Sequence, residues 1–214
     1  MSLKYILFDL DGTLLDTNEL IIQSFKHTYQ EHLQKDVPRE YILQSFGEPL
    51  YTTLEREFED CAQEALDTYR SFQMARFETY ITMHLGVKEA LETLASKGYK
   101  LGVVTSRLND SALKGLRHFD LENYFDVIIG ADDTEKHKPD PTPALMALEA
   151  MGGTAKEALL VGDSPFDIQC AQNGGLLSVA VSWSALPRDL YMQYHPDHVV
   201  DTMEELVTLI ESLS

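Results

Sequence analysis

The chain has 214 residues, enough to bury one substantial core and a small second lobe, and it carries a formal charge of -18. That excess of carboxylates argues against nucleic acid and anionic membranes as partners, and no apolar run approaches the length of a membrane span. Cys61 and Cys170 have neither a redox nor a zinc spacing, and Met1 leads into a strand without a signal-peptide pattern, so the expectation is a reduced, cytoplasmic protein. Small anions are compatible with such a chain only where local cations outweigh its overall field.

Tyr5-Ile6-Leu7-Phe8 reads as a short buried strand, followed by the carboxylates Asp9 and Asp11, then Gly12 and Thr13. Side chains alternate along an extended chain, so the two carboxylates share a side if extension continues, and Gly12 permits a sharp turn. Like charges that close repel, and a cation or a shared proton relieves them. Residues 16–83 then look helical throughout, with no strand. Asp16-Thr17-Asn18-Glu19 is a capping-box-like start, and Leu20, Ile21, Ser24, Phe25, Thr28 and Tyr29 form the first stripe. Pro38 opens a second helical stretch and Phe46-Gly47-Glu48-Pro49 breaks it. Helix resumes through Leu54, Phe58, Leu66, Tyr69, Phe72 and Phe77. An all-helical block directly behind the first strand predicts a separate lobe over 16–83, inserted into a domain made of 1–15 and 84–214.

From Gly86 the pattern alternates. Val87, Ala90, Leu91, Leu94 and Ala95 predict a helix stopped by Gly98, before a strand over 101–105 and a helix over 111–118. A strand follows at 127–130, then a helix opened by Asp140 as N-cap with Pro141 and ended by Gly152-Gly153. Residues 158–162 read as a strand, 165–172 as a helix, 177–181 as a strand, Val199-Val200 as a short one and 203–213 as a final helix. Apolar strands separated by amphipathic helices predict an α/β fold, a doubly wound parallel sheet with helices on both faces. In such sheets ligands bind beyond the carboxyl ends of the strands.

The residues just past those ends are chemically loaded. Asp9 and Asp11 follow the first strand; Thr105, Ser106 and Arg107 the second; Lys138 comes after the third; Asp163, Ser164 and Asp167 follow the fourth. Four such deliveries to one rim favour a site over a set of turns. Together, Asp9-Leu10-Asp11-Gly12-Thr13, Val103-Val104-Thr105-Ser106, Lys138-Pro139-Asp140-Pro141 and Gly162-Asp163-Ser164-Pro165-Phe166-Asp167 resemble the four motifs of the haloacid dehalogenase-like superfamily. The resemblance covers nearly the whole chain, the helical block matching that superfamily's small helical cap. Within it, the chain resembles phosphoglycolate phosphatases and, more closely, bacterial inorganic pyrophosphatases of this fold, on Asp16-Thr17-Asn18-Glu19-Leu20-Ile21 and Leu113-Lys114-Gly115-Leu116.

The resemblance implies a Rossmann-like core and a Mg²⁺-dependent phosphohydrolase of a small phosphate ester or anhydride. Asp9 is implied as the nucleophile that forms an aspartyl-phosphate, and Asp11 as the acid and then the base. Mg²⁺ would be held by Asp9, the backbone carbonyl of Asp11 and Asp163, with Asp167 and Ser164 supporting from behind. Lys138 would supply fixed positive charge, Thr105 a donor to a phosphoryl oxygen, and Ser106 and Arg107 further substrate contacts. Three carboxylates are then balanced by Mg²⁺ and Lys138.

Competing readings stand beside these. A dehalogenase lacks the second Asp, so Asp11 favours phosphoryl chemistry. A mutase resembling β-phosphoglucomutase is expected to carry a His where this chain has Ile21, and a non-catalytic phosphate-binding module has little need for Asp9 and Asp11 together. Thr105 and Ser106, or Asp163 and Ser164, are also candidate helix caps; Lys138 is readable as a loop marker and Arg107 as a solvated arginine. His195-Pro196-Asp197-His198 reads as a loop before a strand, and Trp183 as packing. The block from Asp16 to Met83 has six Lys or Arg against thirteen Asp or Glu, which suits a small phosphorylated metabolite or pyrophosphate. Arg107, Lys138, Lys26 and Arg56 are the cations available to it, and the chain is expected to be a monomer or homodimer.

Overall fold

The apolar run after Lys4 becomes the strand around which the sheet is built. The computed structural model describes residues 3–46 and 48–214, so Gly47 of the predicted interhelical break and the terminal Met1 lie outside the described residues. In chain order the elements begin with β1 (Tyr5–Phe8), β2 (Leu15–Asp16), α1 (Asn18–Leu33), α2 (Arg39–Leu43), α3 (Leu50–Phe58), α4 (Ala62–Tyr80) and β3 (Thr82–Met83). They continue with α5 (Val87–Ser96), β4 (Lys100–Val104), α6 (Asn109–His118), β5 (Val127–Ile129), α7 (Thr142–Met151) and β6 (Ala158–Gly162). The last are α8 (Pro165–Gly174), β7 (Leu177–Val181), α9 (Arg188–Met192), β8 (His198–Val200) and α10 (Met203–Ser212).

Six strands form one parallel sheet in the order β5-β4-β1-β6-β7-β8. Because β1 lies between two parallel neighbours, its side chains must be covered on both faces, and an unbroken apolar run satisfies that. The two-residue period divides the cover. Ile6, Phe8, Val103, Val161 and Val179 pack with Leu91, Leu94, Leu116, Leu206 and Ile210 from α5, α6 and α10. Leu7, Val104 and Leu160 pack with Ala144, Ala147, Leu148, Cys170 and Ala171 from α7 and α8. This is the doubly wound α/β arrangement that the alternation predicts, and strand order reverses at β1, where such sheets open a crevice.

Helices α1, α3 and α4 bury a cluster of their own, including Ile22, Phe25, Tyr29, Leu54, Phe58, Leu66 and Tyr69. The expectation of no strand in this block is corrected at its ends. Leu15 pairs with Met83 and Asp16 with Thr82, antiparallel, so a two-stranded ribbon joins the helices to the sheet. Two-residue strands carry no periodicity, which is why the pattern missed them. The predicted capping box at Asp16 is also absent: Asp16 Oδ1 accepts from the backbone and side-chain nitrogens of Asn18, while Glu19 bonds Gln23 and Arg39. Asp140 likewise accepts from the backbone and hydroxyl of Thr142, one residue ahead of the helix whose N-cap is Pro141. Helix α9 had no sequence signal strong enough to predict it.

Candidate active site

Register brings the rim together. Phe8 pairs with Val103 on one side and with Val161 on the other, so Asp9, Thr105 and Asp163 all emerge within about one residue of the same level. The amide of Asp9 still donates to the Val161 carbonyl at 2.8 Å, and the chain then turns back, with Leu14 and Leu15 both donating to the Leu10 carbonyl. Gly12 has φ of +81°, and a Cβ there would lie 2.3 Å from Asp163 Oδ2. Only glycine lets this turn press against the carboxylate of the neighbouring strand end. Gly162 permits a similar close approach at the end of β6, since a Cβ would meet Cβ of Asp167 at 2.2 Å.

Lys138 is the hub. Its ammonium donates to Asp9 Oδ1 at 2.6 Å, to Asp167 Oδ1 at 2.6 Å and to the Val104 carbonyl at 3.2 Å, which accounts for all three of its hydrogens. The loop-marker reading of Lys138 therefore fails. Asp167 is held from the other side by Ser164, whose backbone N–H and hydroxyl both donate to Oδ2, so the two residues form the capping box that starts α8. Ser164 is thus the cap, and Asp163 is free of that duty. Oxygens of Asp9, Asp163 and Asp167 lie within 4.8 Å of one another, and all three residues are buried.

Two neighbouring carboxyls respond in opposite ways. Burial pushes Asp9 up, the charges of Asp167 and Asp11 push it further, and Lys138 opposes without prevailing. Burial also pushes Asp163 well up, reinforced by Asp9 and Asp167. Burial would lower Lys138, but Asp167 and Asp9 outweigh it and its affinity for the proton rises. Counted as ions, three carboxylates face one ammonium. The cluster is short of positive charge.

Asp11 is different. Burial favours its neutral form, yet Arg107 more than compensates and holds the carboxyl below the usual range. The pair is bidentate, Arg107 Nε to Oδ2 at 2.9 Å and Nη2 to Oδ1 at 2.8 Å, the fork geometry that guanidinium and carboxylate favour. Arg107 Nη1 donates to Ser111 Oγ at 2.9 Å and reaches Gln73 Oε1 of α4 at 3.4 Å. The arginine is therefore not solvated: only 8% of its side chain is exposed. This corrects the reading of Arg107 as a solvated arginine. The third carboxylate beside Asp9 and Asp163 is Asp167, while the Asp11 side chain turns to Arg107.

Thr105 is buried and its Oγ1 accepts from the Arg107 N–H at 3.2 Å, while Ser106 is half-buried on the same rim. Neither caps α6, which starts at Asn109 behind Leu108. Arg56 is tied to Glu48 and Glu57. These residues line a cavity of about 400 Å³ with Tyr29, Thr53 and Phe166, the last from the first turn of α8. Trp183 packs on the core and donates to the Thr13 carbonyl at 3.2 Å. Asp197 accepts from the backbone and hydroxyl of Ser178, which fixes the His195–His198 stretch as a loop entering β8. Ser184 and Gln73 were missed by the sequence. Ser184 Oγ donates to Asp163 Oδ2 at 3.0 Å, and its position just beyond β7 was a signal of the same kind as the other four strand ends. Gln73 sits on a helix among many polar residues and gave none.

A sequence profile described as haloacid dehalogenase-like hydrolase matches residues 6–181. A provisionally named pyrophosphatase, PpaX, from Caldanaerobacter subterraneus subsp. tengcongensis is 44% identical over 211 residues, covering 99% of this chain and 96% of that protein. The pyrophosphatase PpaX of Halalkalibacterium halodurans is 36% identical over 210 residues, 98% of each chain. The crystal structure of a predicted phosphatase from Clostridium acetobutylicum superposes with a TM-score of 0.90 at 27% identity, covering 100% of both chains. No described helix is long and apolar enough to cross a membrane. Strand-end carboxylates gathered on one lysine, a matching profile and relatives alike along almost the entire length lead to one family: the chain belongs to the haloacid dehalogenase-like hydrolases.

Proposed function

We propose that the chain is a Mg²⁺-dependent phosphohydrolase of small phosphate anhydrides and esters, with pyrophosphate as the first candidate and phosphoglycolate as the second. The observation that carries this reading is the split between Asp9 and Asp11, one gathered with two carboxylates around Lys138 and the other paired with Arg107. The buried cluster of Asp9, Asp163 and Asp167 lacks two positive charges, and hard carboxylate oxygens suit Mg²⁺. Asp9 and Asp163, with the Asp11 carbonyl, would hold the ion, and Asp167 would orient Lys138 beside it. When bound, Mg²⁺ supplies the positive charge that lets a carboxylate approach an anionic phosphate.

The rest falls to the chain's own groups. Lys138 fixes Asp9 Oδ1, leaving the second oxygen to attack phosphorus. The new Asp9–phosphorus bond forms as the bond to the leaving oxygen breaks; Asp11, which takes up a proton from solvent as the substrate's phosphate draws Arg107 away from it, gives that proton to the leaving oxygen. Water then attacks the same phosphorus, passes a proton to Asp11 and releases phosphate, restoring both carboxyls. Thr105, whose oxygen already accepts from Arg107, has its hydroxyl hydrogen available for a phosphoryl oxygen. While Asp11 carries the proton, Arg107 needs another anion, and a leaving phosphate supplies one; this favours pyrophosphate over an ester with a neutral leaving group. Ile21, half-buried against the helical cluster, offers no proton for the mutase alternative.

The test is phosphate release from pyrophosphate, phosphoglycolate and sugar phosphates, each with Mg²⁺ and with EDTA. Release from pyrophosphate that stops in EDTA is the expected result. Turnover that persists in EDTA removes the metal, and sugar phosphates as the preferred substrates would reverse the substrate order.

A further inference from the structure

Beyond β7 the chain makes three attachments in four residues, each to a different region of the molecule. Trp183 Nε1 donates to the carbonyl of Thr13, in the turn that follows Asp9 and Asp11. Ser184 Oγ donates to Asp163 Oδ2 at 3.0 Å. Leu186 buries its side chain, 6% exposed, in the hydrophobic cluster otherwise built from α1 to α4, with Ala185 packed beside it. One further bond joins these attachments: the Leu186 backbone N–H donates to Ser184 Oγ at 3.0 Å. A hydroxyl that accepts from one side has its own hydrogen directed elsewhere, and here the acceptor is Asp163. The orientation of that carboxylate is thereby fixed by a residue whose neighbour is anchored among the helices.

We infer that Ser184 is a positioning residue for Asp163, and that Leu186 couples its orientation to the seating of the helices over the rim. This rests on the metal-holding role of Asp163 given above. Asp163 also lies against Gly12, where no side chain could stand, and Ser184 is the side chain whose hydrogen bond sets which way the carboxylate turns. When the helices shift, Leu186 moves with the cluster that buries it, and the bond from its N–H to Ser184 loosens. Metal affinity then follows the seating of the helical segment, because an outer hydrogen-bond partner orients the metal ligand.

The experiment is Mg²⁺ binding by titration calorimetry, alongside the Mg²⁺ concentration that gives half-maximal phosphate release. Ser184→Ala is expected to weaken Mg²⁺ about 10-fold, with a smaller effect on turnover at saturating metal, and Ser184→Thr to restore most of the affinity. Leu186→Ala is expected to weaken Mg²⁺ in the same direction, by about 3-fold, if it acts through the Ser184 hydroxyl. The double variant should then bind no more weakly than Ser184→Ala alone, since the two act through one bond. Unchanged affinity in Ser184→Ala overturns the positioning role. Losses that multiply in the double variant overturn the coupling. Thermal melts of each variant separate unfolding from a change in affinity, and Ser184→Thr keeps the positioning role testable should Leu186→Ala not fold. If the unaltered protein binds no Mg²⁺, or Asp163→Asn binds it as well as the unaltered protein does, it is the metal reading of the site that fails.

Discussion

Asp9 and Asp11 stand two residues apart on one turn, yet the two sides of β1 treat them oppositely. Toward β6, Asp9 meets Asp163, Asp167 and a single lysine, and its carboxyl is pushed up by burial and by like charge. Toward β4, Asp11 meets an arginine in a bidentate pair and is held down despite burial. The first side is short of cations and the second is balanced. Environments that drive two carboxyls apart are how one site obtains two different roles from one residue type. The difference also shows where charge is missing: the β6 side lacks positive charge, and on the β4 side the arginine is already matched by Asp11.

The largest test of this contrast removes the attacking group. Asp9→Asn should bring phosphate release to background in freshly purified protein, and retained turnover would end the nucleophile assignment. Asp11→Asn should lower turnover by roughly 10²–10⁴-fold, the range for a lost acid–base group, while calorimetry finds Mg²⁺ binding largely intact. A collapse of metal affinity there would place Asp11 on the wrong side of the comparison.

Arg107→Met should destabilise the protein at pH 7 by on the order of 3 kcal/mol in urea unfolding, because a largely buried carboxylate loses its partner. The folded-state carboxyl of Asp11 is lowered, so the pair stabilises above the unfolded value of about 4 and its contribution disappears as pH falls through the folded one. The penalty should therefore shrink in acid; a penalty that persists there would be packing and not charge. The β6 side has the opposite sign. Asp9 and Asp163 are raised, so the metal-free fold loses stability as pH rises from about 4 through their folded values. Mg²⁺ at a hundred times its pH 8 dissociation constant should restore about 2.7 kcal/mol at that pH, and melting curves at the same Mg²⁺ concentration should show a smaller increment at pH 5. Equal increments at both would mean that the metal does not compete with these protons.

Much of the site was legible because its residues follow strands whose apolar runs are plain. Asp9, Thr105 and Asp163 each stand directly behind such a run, and Lys138 sits in a Lys-Pro-Asp-Pro stretch that no helix or strand claims. Asp167 and Ser164 were readable through their three-residue spacing, which makes a capping box. Ser184, three residues beyond β7, obeys the same rule of strand ends. Gln73 was not legible, because a glutamine on an amphipathic helix has no signature until the helix is docked. The ribbon of Leu15–Asp16 with Thr82–Met83 was hidden for a related reason: two residues are too few to show a period.

By itself the sequence determined the succession of the six sheet strands and of most helices along the chain, the turn at Gly12 and the chemical groups delivered to the rim, since these depend on local periodicity and on backbone freedom. Tertiary structure alone decided the partners. Lys138 reaches Asp9 from 129 residues away and Arg107 reaches Asp11 from 96. Which cation meets which carboxylate depends on strand order, and strand order is set by how helices cover the two faces of the sheet.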